Sequence, residues 1–161
     1  KAIETNLPMV VDADALNLLS KNPQHHDNWV LTPHPGEAAR LLGCSSEEIQ
    51  AERFAAVYEL QRRYGGVVVL KGSGTLISNG EAPTRLSTWG NPGMGSGGMG
   101  DVLAGVIGGL LAQHFPIMDA ACVGVTLHGM AADKAAELDG ERGTLAMDLM
   151  PHLRRLANLI Y

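Results

Sequence analysis

A glycine-rich segment followed by an acid is the part of the sequence best suited to chemistry. Residues 95–101 read GSGGMGD, and the residues after them predict a helix that continues to Ala112. A glycine turn that enters a helix directs unpaired N–H groups and the positive end of the helix dipole outward, which favours an anion such as a phosphate. Asp101 could then take a proton from a substrate hydroxyl while the turn holds the transferred group. Helix stabilisation alone accounts for Asp101 equally well, so the motif leaves both interpretations open.

The same segment differs from two common phosphate-binding motifs. It lacks the Gly-Lys-Ser/Thr ending of a Walker A loop. Gly95, Gly97 and Gly100 can be counted as G-x-G-x-x-G, but Asn91-Pro92 precedes them where a dinucleotide fold needs a strand and a tight turn. The sequence therefore predicts an anion-binding turn of another kind, with a flexible glycine loop as the alternative.

A second glycine turn follows the most strand-like run of the chain, residues 67–70 (VVVL). Ligands of open parallel sheets bind at the carboxyl ends of the strands, which is where this turn would lie. Its lysine supplies a point charge for phosphate, and its glycines let a ligand approach the backbone. An ordinary β-turn with an incidental lysine is the alternative. The residues of this turn are Lys71, Gly72, Ser73, Gly74 and Thr75.

Two further groups of polar residues follow predicted strands. His34 lies between two prolines that fix its direction, and Glu37 three residues later could hold a water on Mg²⁺. Asp12 and Asp14 end the first apolar run; Asp14 is expected to cap a short helix, and the role of Asp12 stays open. The remaining histidines show no metal-ligand spacing and are expected on the surface or on helices: His25, His26, His114, His128 and His152.

The elements that must position these groups alternate between strands and helices. Apolar runs at 8–13, 29–31 and 67–70 predict buried strands, and 76–78 with 85–88 predicts a hairpin or two adjacent strands. Helices are expected over 15–19, 37–42, 45–64, 117–138 and 145–160, besides the helix ending at Ala112. This alternation predicts an α/β protein with a largely parallel sheet between helices.

The composition of the 161 residues excludes several classes of protein. The formal net charge is −5, no basic run is present and aromatic residues make up 4%, which argues against nucleic-acid binders and anionic-membrane binders. Cys44 and Cys122 lie in no zinc-binding spacing and are expected to be reduced thiols. No signal peptide or membrane-spanning run is apparent. Lys1 is not an initiator, so we expect a piece of a longer chain.

Taken in order, these segments resemble the NAD(P)H-hydrate dehydratase family of the ribokinase-like superfamily. The resemblance implies a ribokinase-like α/β fold with a central, mostly parallel sheet flanked by helices. It covers only the later part of the family's domain, so residues 1–161 are expected to be the C-terminal portion of a single domain. The matching stretches are VVDADALNLL, LTPHPGEAARLLG, VVVLKGSGTLI, GNPGMGSGGMGDVLAGVIGGLLAQ, LHGMAADKAA and RGTLAMDLMPHL.

The resemblance also implies a reaction. Members of the family repair the (S)-form of hydrated NADH or NADPH: a nucleotide phosphorylates the hydroxyl, and phosphate is then eliminated, which makes the enzyme a carbon–oxygen lyase. The sequence has a bacterial character, which favours ADP over ATP as co-substrate, together with Mg²⁺. Further implications are a cytoplasmic homo-oligomer that is fused to, or works with, an NAD(P)H-hydrate epimerase and binds neither nucleic acid nor membrane.

Matched residue by residue, the resemblance assigns roles to the motifs. Asp101 is the base that acts on the substrate hydroxyl, and His34 contacts the hydrated dinucleotide. Glu37 positions Mg²⁺ through water, although the asparagine usual three residues earlier is His34 here. The residues implied to bind the nucleotide and its phosphates are Lys71, Gly72, Ser73, Gly74, Thr75, Gly97, Gly98, Met99 and Gly100.

Two other functions fit the same motifs. A small-molecule kinase of the superfamily would share the glycine turn and the base, but it would release a stable phosphorylated vitamin precursor or sugar. The histidine at position 34 argues against an ordinary sugar kinase. A nucleotide sensor without catalysis would bind nucleotide but turn over no hydrate; the intact Asp101 argues against it.

Overall fold

The computed structural model describes residues 3–159 and contains a five-stranded sheet. The strands lie side by side in chain order: β1 (Met9–Val11), β2 (Trp29–Leu31), β3 (Val67–Leu70), β4 (Thr75–Ser78) and β5 (Arg85–Ser87). The first three are parallel, and β4 pairs antiparallel with both β3 and β5; the pair of β4 and β5 is the expected hairpin. The α/β prediction is confirmed.

Seven α-helices accompany these strands within the described residues. They are α1 (Asp14–Lys21), α2 (Pro35–Leu42), α3 (Ser46–Ala51), α4 (Arg53–Tyr64), α5 (Met99–Ala112), α6 (Ile117–Asp139) and α7 (Leu149–Ala157). Short 3₁₀ turns lie at Ile3–Thr5, Pro92–Gly95 and Ala146–Asp148. Among residues 3–159, no helix is both long and apolar enough to cross a bilayer.

The long helix expected over 45–64 is divided into α3 and α4. The capping box of Ser45 and Glu48 forms as expected and starts α3. Glu52 then leaves the helical conformation (φ −131°, ψ 54°), and Arg53 after it donates hydrogen bonds to the turn that follows β3. A contact with a distant turn is invisible to helical periodicity, which is why the sequence did not indicate the break. The C-terminal helix is also shorter than expected, since a 3₁₀ turn occupies Ala146–Asp148; residue 160 lies outside the described residues.

Alternating side chains of the sheet divide the core between two layers of helices. Val68 and Leu70 of β3 pack with the buried residues of α1 to α4, whereas Val67 and Val69 pack with α5 and α6. The two-residue period of a strand sends neighbours to opposite faces, so a strand covered on both faces is apolar throughout. A third cluster joins α7 to α5 and α6. The two layers hold the carboxyl ends of β1 to β3 beside the start of α5.

Candidate functional site

Four segments singled out in the sequence meet at the carboxyl ends of the parallel strands. Asp12 follows β1, Glu37 follows β2 and Lys71 follows β3. The start of α5 completes the group, because a Cβ added to Gly100 would lie 3.2 Å from Nζ of Lys71 and 3.5 Å from Oδ2 of Asp12. Open parallel sheets bind ligands at this edge. The predicted position of the site agrees with this arrangement.

Lys71 is the centre of a partly buried ion cluster. Its Nζ lies 2.9 Å from Oδ1 of Asp12 and 3.8 Å from Oε2 of Glu37. The side chains of Lys71, Asp12 and Glu37 are 19%, 13% and 8% exposed. The lysine that the resemblance implies for phosphate thus faces two carboxylates. One ammonium against two carboxylates leaves a net charge of −1, so an incoming phosphate requires further positive charge.

Asp12, whose role the sequence left open, belongs to this cluster, but Asp14 does not. The helix-capping role expected of Asp14 is wrong. Ala13 occupies the N-cap of α1 without a side-chain hydrogen bond, and Asp14 Oδ1 accepts a hydrogen bond from Asn17 Nδ2 at 3.4 Å. Ala13 has a positive φ of 48°, the helix begins at Asp14, and Asp12 before them accepts a hydrogen bond from Nζ of Lys71.

His34 caps helix α2, a local role that the sequence analysis did not identify. Its Nδ1 accepts hydrogen bonds from the backbone N–H of Gly36 and Glu37, and Oε2 of Glu37 accepts one from the N–H of His34 at 2.8 Å. A ring nitrogen that accepts carries no proton, so these bonds place the hydrogen of the neutral ring on Nε2. Nε2 of His34 lies 3.6 Å from Oε1 of Glu37, and the His34 side chain is 56% exposed. The ring therefore offers an N–H donor at the edge of the site.

The turn before α5 has free backbone donors. Gly98 is the N-cap of α5 in the left-handed conformation (φ +87°), and no side chain caps the helix. Within residues 3–159, the amides of Gly97, Gly98 and Gly100 donate to no other group. A Cβ added to Gly97 would meet no atom within 4 Å, so the space in front of this turn is open. Unpaired amides at a helix N-terminus form an anion site.

Asp101 lies in the first turn of α5, directly beside these amides. It is exposed, and its carboxylate forms no hydrogen bond or ion pair with another described residue. A general base needs an oxygen free to accept a proton, and this carboxylate has both of its oxygens free. Ser96 holds the preceding backbone by donating its hydroxyl to the carbonyl groups of Gly93 and Thr144.

His128 lies beneath the same turn. It was expected on the surface or on a helix, and it lies on helix α6 with its side chain buried. It is 6% exposed and hydrogen-bonded to the backbone of Met99, the first residue of α5. Burial, with a smaller contribution from the charge of Lys71, outweighs the hydrogen bond to Met99 and lowers the pKa of His128 to about 4, so the ring is neutral. Its Nε2 has no hydrogen-bond partner among the described residues. No feature of the local sequence distinguishes His128 from the exposed histidines.

A cleft of about 400 Å³ opens elsewhere, lined by residues such as Gln61, Val67, Asn79 and Met118. Val67 begins β3 and Asn79 follows the antiparallel β4, so this cleft lies at the amino end of β3 and away from the ion cluster. No glycine turn before a helix contributes to it. The candidate site is therefore identified by the ion cluster, the glycine turns and Asp101, and not by the position of this cleft.

The donors of the ion cluster suit a hard divalent cation. Asp12 and Glu37 offer carboxylate oxygens to a position now shared with the ammonium of Lys71. Among residues 3–159, no group of three or more ligating side chains could enclose a metal. Mg²⁺ is usually held by one or two carboxylates together with substrate phosphates and water, so this donor set fits Mg²⁺ bound with a nucleotide.

A helix N-terminus with unpaired amides, a carboxylate beside it and acidic residues at the ends of parallel strands are typical of the class of α/β proteins that bind and transfer phosphoryl groups. Structural comparison agrees. A ribokinase-like superfamily protein from Enterococcus faecalis has a TM-score of 0.80 and 30% identity over 95% of this chain and 52% of its own. The ribokinase-like fold is thereby confirmed.

A family model described as NAD(P)H-hydrate dehydratase matches residues 1–155, and the chain belongs to that family. It is 57% identical to the bifunctional NAD(P)H-hydrate repair enzyme Nnr of Coxiella burnetii, over 98% of this chain and 32% of that protein. It is 45% identical to the ADP-dependent (S)-NAD(P)H-hydrate dehydratase of Neisseria meningitidis, over 97% of this chain and 55% of that protein. The chain thus spans about a third to a half of the length of these relatives.

A solved structure resembles the chain closely as well. The ADP/ATP-dependent NAD(P)H-hydrate dehydratase of Bacillus subtilis, crystallised with ATP and Mg²⁺, has a TM-score of 0.85 and 31% identity. The match covers 96% of this chain and 55% of that one. The resemblance noted from the motifs is therefore confirmed at the level of family and fold.

Proposed function

We propose that this chain carries the nucleotide-binding and proton-abstracting half of an ADP-dependent (S)-NAD(P)H-hydrate dehydratase. The observation that carries the proposal is the open turn of unpaired amides at Gly97, Gly98 and Gly100, with the free carboxylate of Asp101 beside it. The name of the Neisseria meningitidis relative supports ADP as the nucleotide. The names of both relatives support hydrated NADH or NADPH as the substrate.

The nucleotide would lie along two turns that face the same edge of the sheet. The amides of Gly72, Ser73 and Gly74 form no hydrogen bond with another described group, as at the first turn, and are free to bind the nucleotide. Met99 contributes its backbone to the anion site, and Thr75 closes the second turn through its hydroxyl. Both turns supply N–H donors and therefore select for phosphate oxygens.

Mg²⁺ would be held at Glu37, with Asp12 as a second oxygen donor, and would neutralise phosphate charge when bound. The ion cluster carries a net charge of −1 before any nucleotide is present, so the phosphates need such a cation. Lys71 would then exchange its ion pair with Asp12 for a phosphate oxygen. This exchange would reconcile the observed ion pair with the phosphate-binding role that the family resemblance implies.

The reaction that the family resemblance implies needs one base and one anion site, and Asp101 and the turn before α5 would supply them. Asp101 accepts the proton of the hydrate hydroxyl, whose oxygen attacks the terminal phosphorus of ADP, and AMP leaves. The amides of Gly97 to Gly100 hold the transferred phosphoryl group. The lone pair of the ring nitrogen then expels phosphate from the ring carbon. Loss of a proton from the neighbouring carbon completes the double bond of NADH or NADPH.

His34 would contact the hydrated dinucleotide with its Nε2–H donor. Because its Nδ1 is engaged in capping α2, only Nε2 is available to a ligand. An imidazole fixed in one tautomer is a specific donor for an amide carbonyl or a phosphate. We further propose that the protein acts as a cytoplasmic homo-oligomer and works with, or is fused to, a hydrate epimerase; the bifunctional name of the Coxiella relative is compatible with a fusion.

The decisive experiment supplies the protein, at the length at which it is encoded, with the (S)-hydrate of NADH, ADP and Mg²⁺. Return of NADH absorbance together with equal amounts of AMP and free phosphate is expected. Reactions without ADP, with ATP in its place, or with the NADPH hydrate measure the nucleotide and substrate preferences. A stable phosphorylated product without NADH would show a kinase instead, and binding of ADP without any turnover would show a sensor.

A further inference from the structure

An arginine beneath the second glycine turn has contacts that the functional motifs do not explain. Arg53, the first residue of α4, donates Nη2 to the carbonyl groups of Gly74 at 3.0 Å and Leu70 at 3.3 Å. Its Nη1 lies 3.5 Å from the carbonyl oxygen of Lys71. The guanidinium therefore gathers three main-chain carbonyl groups around the turn that the nucleotide would bind.

This guanidinium has no carboxylate partner among the described residues. None of the ion pairs within residues 3–159 includes Arg53, and Gln50 supplies the other side-chain contact, at 3.0 Å. Partial burial lowers its pKa from the ordinary value, but an arginine side chain keeps its proton in a protein. A positive charge with no counter-ion thus lies directly beneath the turn.

The backbone conformation of the turn is adapted to this contact. Gly72 has a φ of +132°, and a Cβ added to it would lie 3.0 Å from Nη1 of Arg53. Only glycine adopts this conformation readily and also allows the guanidinium to come so close. The hydroxyl of Thr75 holds a fourth carbonyl group, that of Gly72, at 3.1 Å.

Tying the carbonyl groups determines where the amides point. In a trans peptide the C=O and N–H bonds point in opposite directions. The peptide between Leu70 and Lys71 illustrates this, since its carbonyl faces Arg53 while its N–H donates to the carbonyl of Pro33 at 2.9 Å. By the same geometry, the carbonyl of Lys71 facing Arg53 turns the N–H of Gly72 away from the guanidinium.

We propose that Arg53 is a positioning residue for nucleotide binding. It holds the carbonyl groups of Leu70, Lys71 and Gly74 away from the site, so that an incoming phosphate meets N–H donors of the turn rather than these three oxygens. Its charge beneath the turn adds to the attraction for the phosphate. This inference rests on the proposed function, because it takes the turn at residues 71–75 to bind the phosphates of the nucleotide.

The test measures the Kd for ADP in three variants of the protein at its encoded length. R53A removes the guanidinium, and R53K keeps a charge that cannot bridge three carbonyl groups. The matched control is R62A, on an exposed arginine of the same helix that is paired with Glu59. We expect the Kd to rise about tenfold or more in R53A and R53K, equivalent to about 1.4 kcal/mol. R62A should bind as the unmodified protein does, and millimolar guanidinium should partly restore binding in R53A.

A second measurement needs no nucleotide. Hydrogen exchange at the Lys71 amide should accelerate in R53A, because the peptide that bonds to Pro33 loses its other anchor, while exchange at the central amide of β3, Val68, should not change. A KM for the hydrate that stays constant while the KM for ADP rises would support positioning rather than general destabilisation. Normal ADP affinity in R53A, or in R53K, would overturn the inference. If the unmodified protein binds no ADP, the proposed function fails, and unchanged exchange at Lys71 would then refute the role of Arg53 separately.

Discussion

The ion cluster at the centre of the site makes a strong prediction about stability. Replacing Lys71 with methionine removes the ammonium but leaves Asp12 and Glu37 facing the same space. At an effective dielectric constant of about 20, a unit charge pair contributes about 6 kcal/mol of Coulomb energy at 2.9 Å and about 4 kcal/mol at 3.8 Å. Desolvation of the three groups, each at least four-fifths buried, offsets much of this gain.

What remains after Lys71→Met is therefore the cost of two partly buried, unpaired carboxylates. Breaking a buried pair by removing one partner costs about 3–5 kcal/mol, and the solvent that reaches this cluster favours the lower figure, about 3 kcal/mol. Adding Asp12→Asn should recover part of the loss, because only Glu37 then stays charged and its Oε2 accepts from the N–H of His34. The double variant should thus be less destabilised than the sum of the single variants by at least about 1.5 kcal/mol.

Urea unfolding at pH 7 measures these differences. Trp29 is a suitable probe because it is 1% exposed, whereas Trp89 is 52% exposed and contributes a smaller change. The two single variants and the double variant form a double-mutant cycle, which gives the coupling energy between Lys71 and Asp12. This coupling energy should change little when the cycle is repeated in high salt, because salt screens partly buried charges weakly. Additive effects within about 0.5 kcal/mol would refute the reasoning, because they would mean that Lys71 and Asp12 do not interact in solution.

Three further perturbations give separable results. Asp101→Asn should lower kcat by about a hundred- to ten-thousand-fold and Tm by no more than about 4 °C, since this exposed carboxylate interacts only with the helix dipole; near-normal turnover would remove it from the mechanism. Gly98→Ala should weaken ADP binding about tenfold, as titration calorimetry would measure, because residue 98 has a φ of +87° and an added Cβ would lie 3.2 Å from Cβ of Ala146. Gly105→Ala, where an added Cβ would meet no atom within 4 Å, should leave ADP binding unchanged. Equal effects of the two substitutions would argue against the anion site. The unfolded chain protonates His128 below about pH 6.5 and the folded protein only below about 4, so the free energy of unfolding should fall by up to about 3 kcal/mol as pH decreases between these values. Urea midpoints in His128→Leu should lack this slope, and an unchanged slope would contradict the burial of a neutral ring.

Most of the fold could be predicted because its determinants are local. The apolar run at 67–70 is buried on both faces, and the helix expected over 37–42 forms as α2, which begins two residues earlier at Pro35. The capping box at Ser45 and the glycine turn before α5 lie within four residues of the structures they define. Short-range patterns of this kind depend on strand and helix periods and on turn chemistry, which are visible in the sequence.

Contacts between distant residues were the ones that the sequence did not indicate. The break at Glu52 accompanies hydrogen bonds from Arg53 to a turn some 20 residues later, and the burial of His128 depends on packing between α6 and the start of α5. The sequence alone therefore determined the strands, the glycine turns and the family. Only the tertiary structure decided that Lys71 pairs with Asp12, 59 residues away, and that Arg53 lies under the nucleotide turn. The physical reason is that the type of a residue does not identify its contact partner. The partner depends on which strands the sheet places side by side, and therefore on which carboxyl ends of strands lie close together.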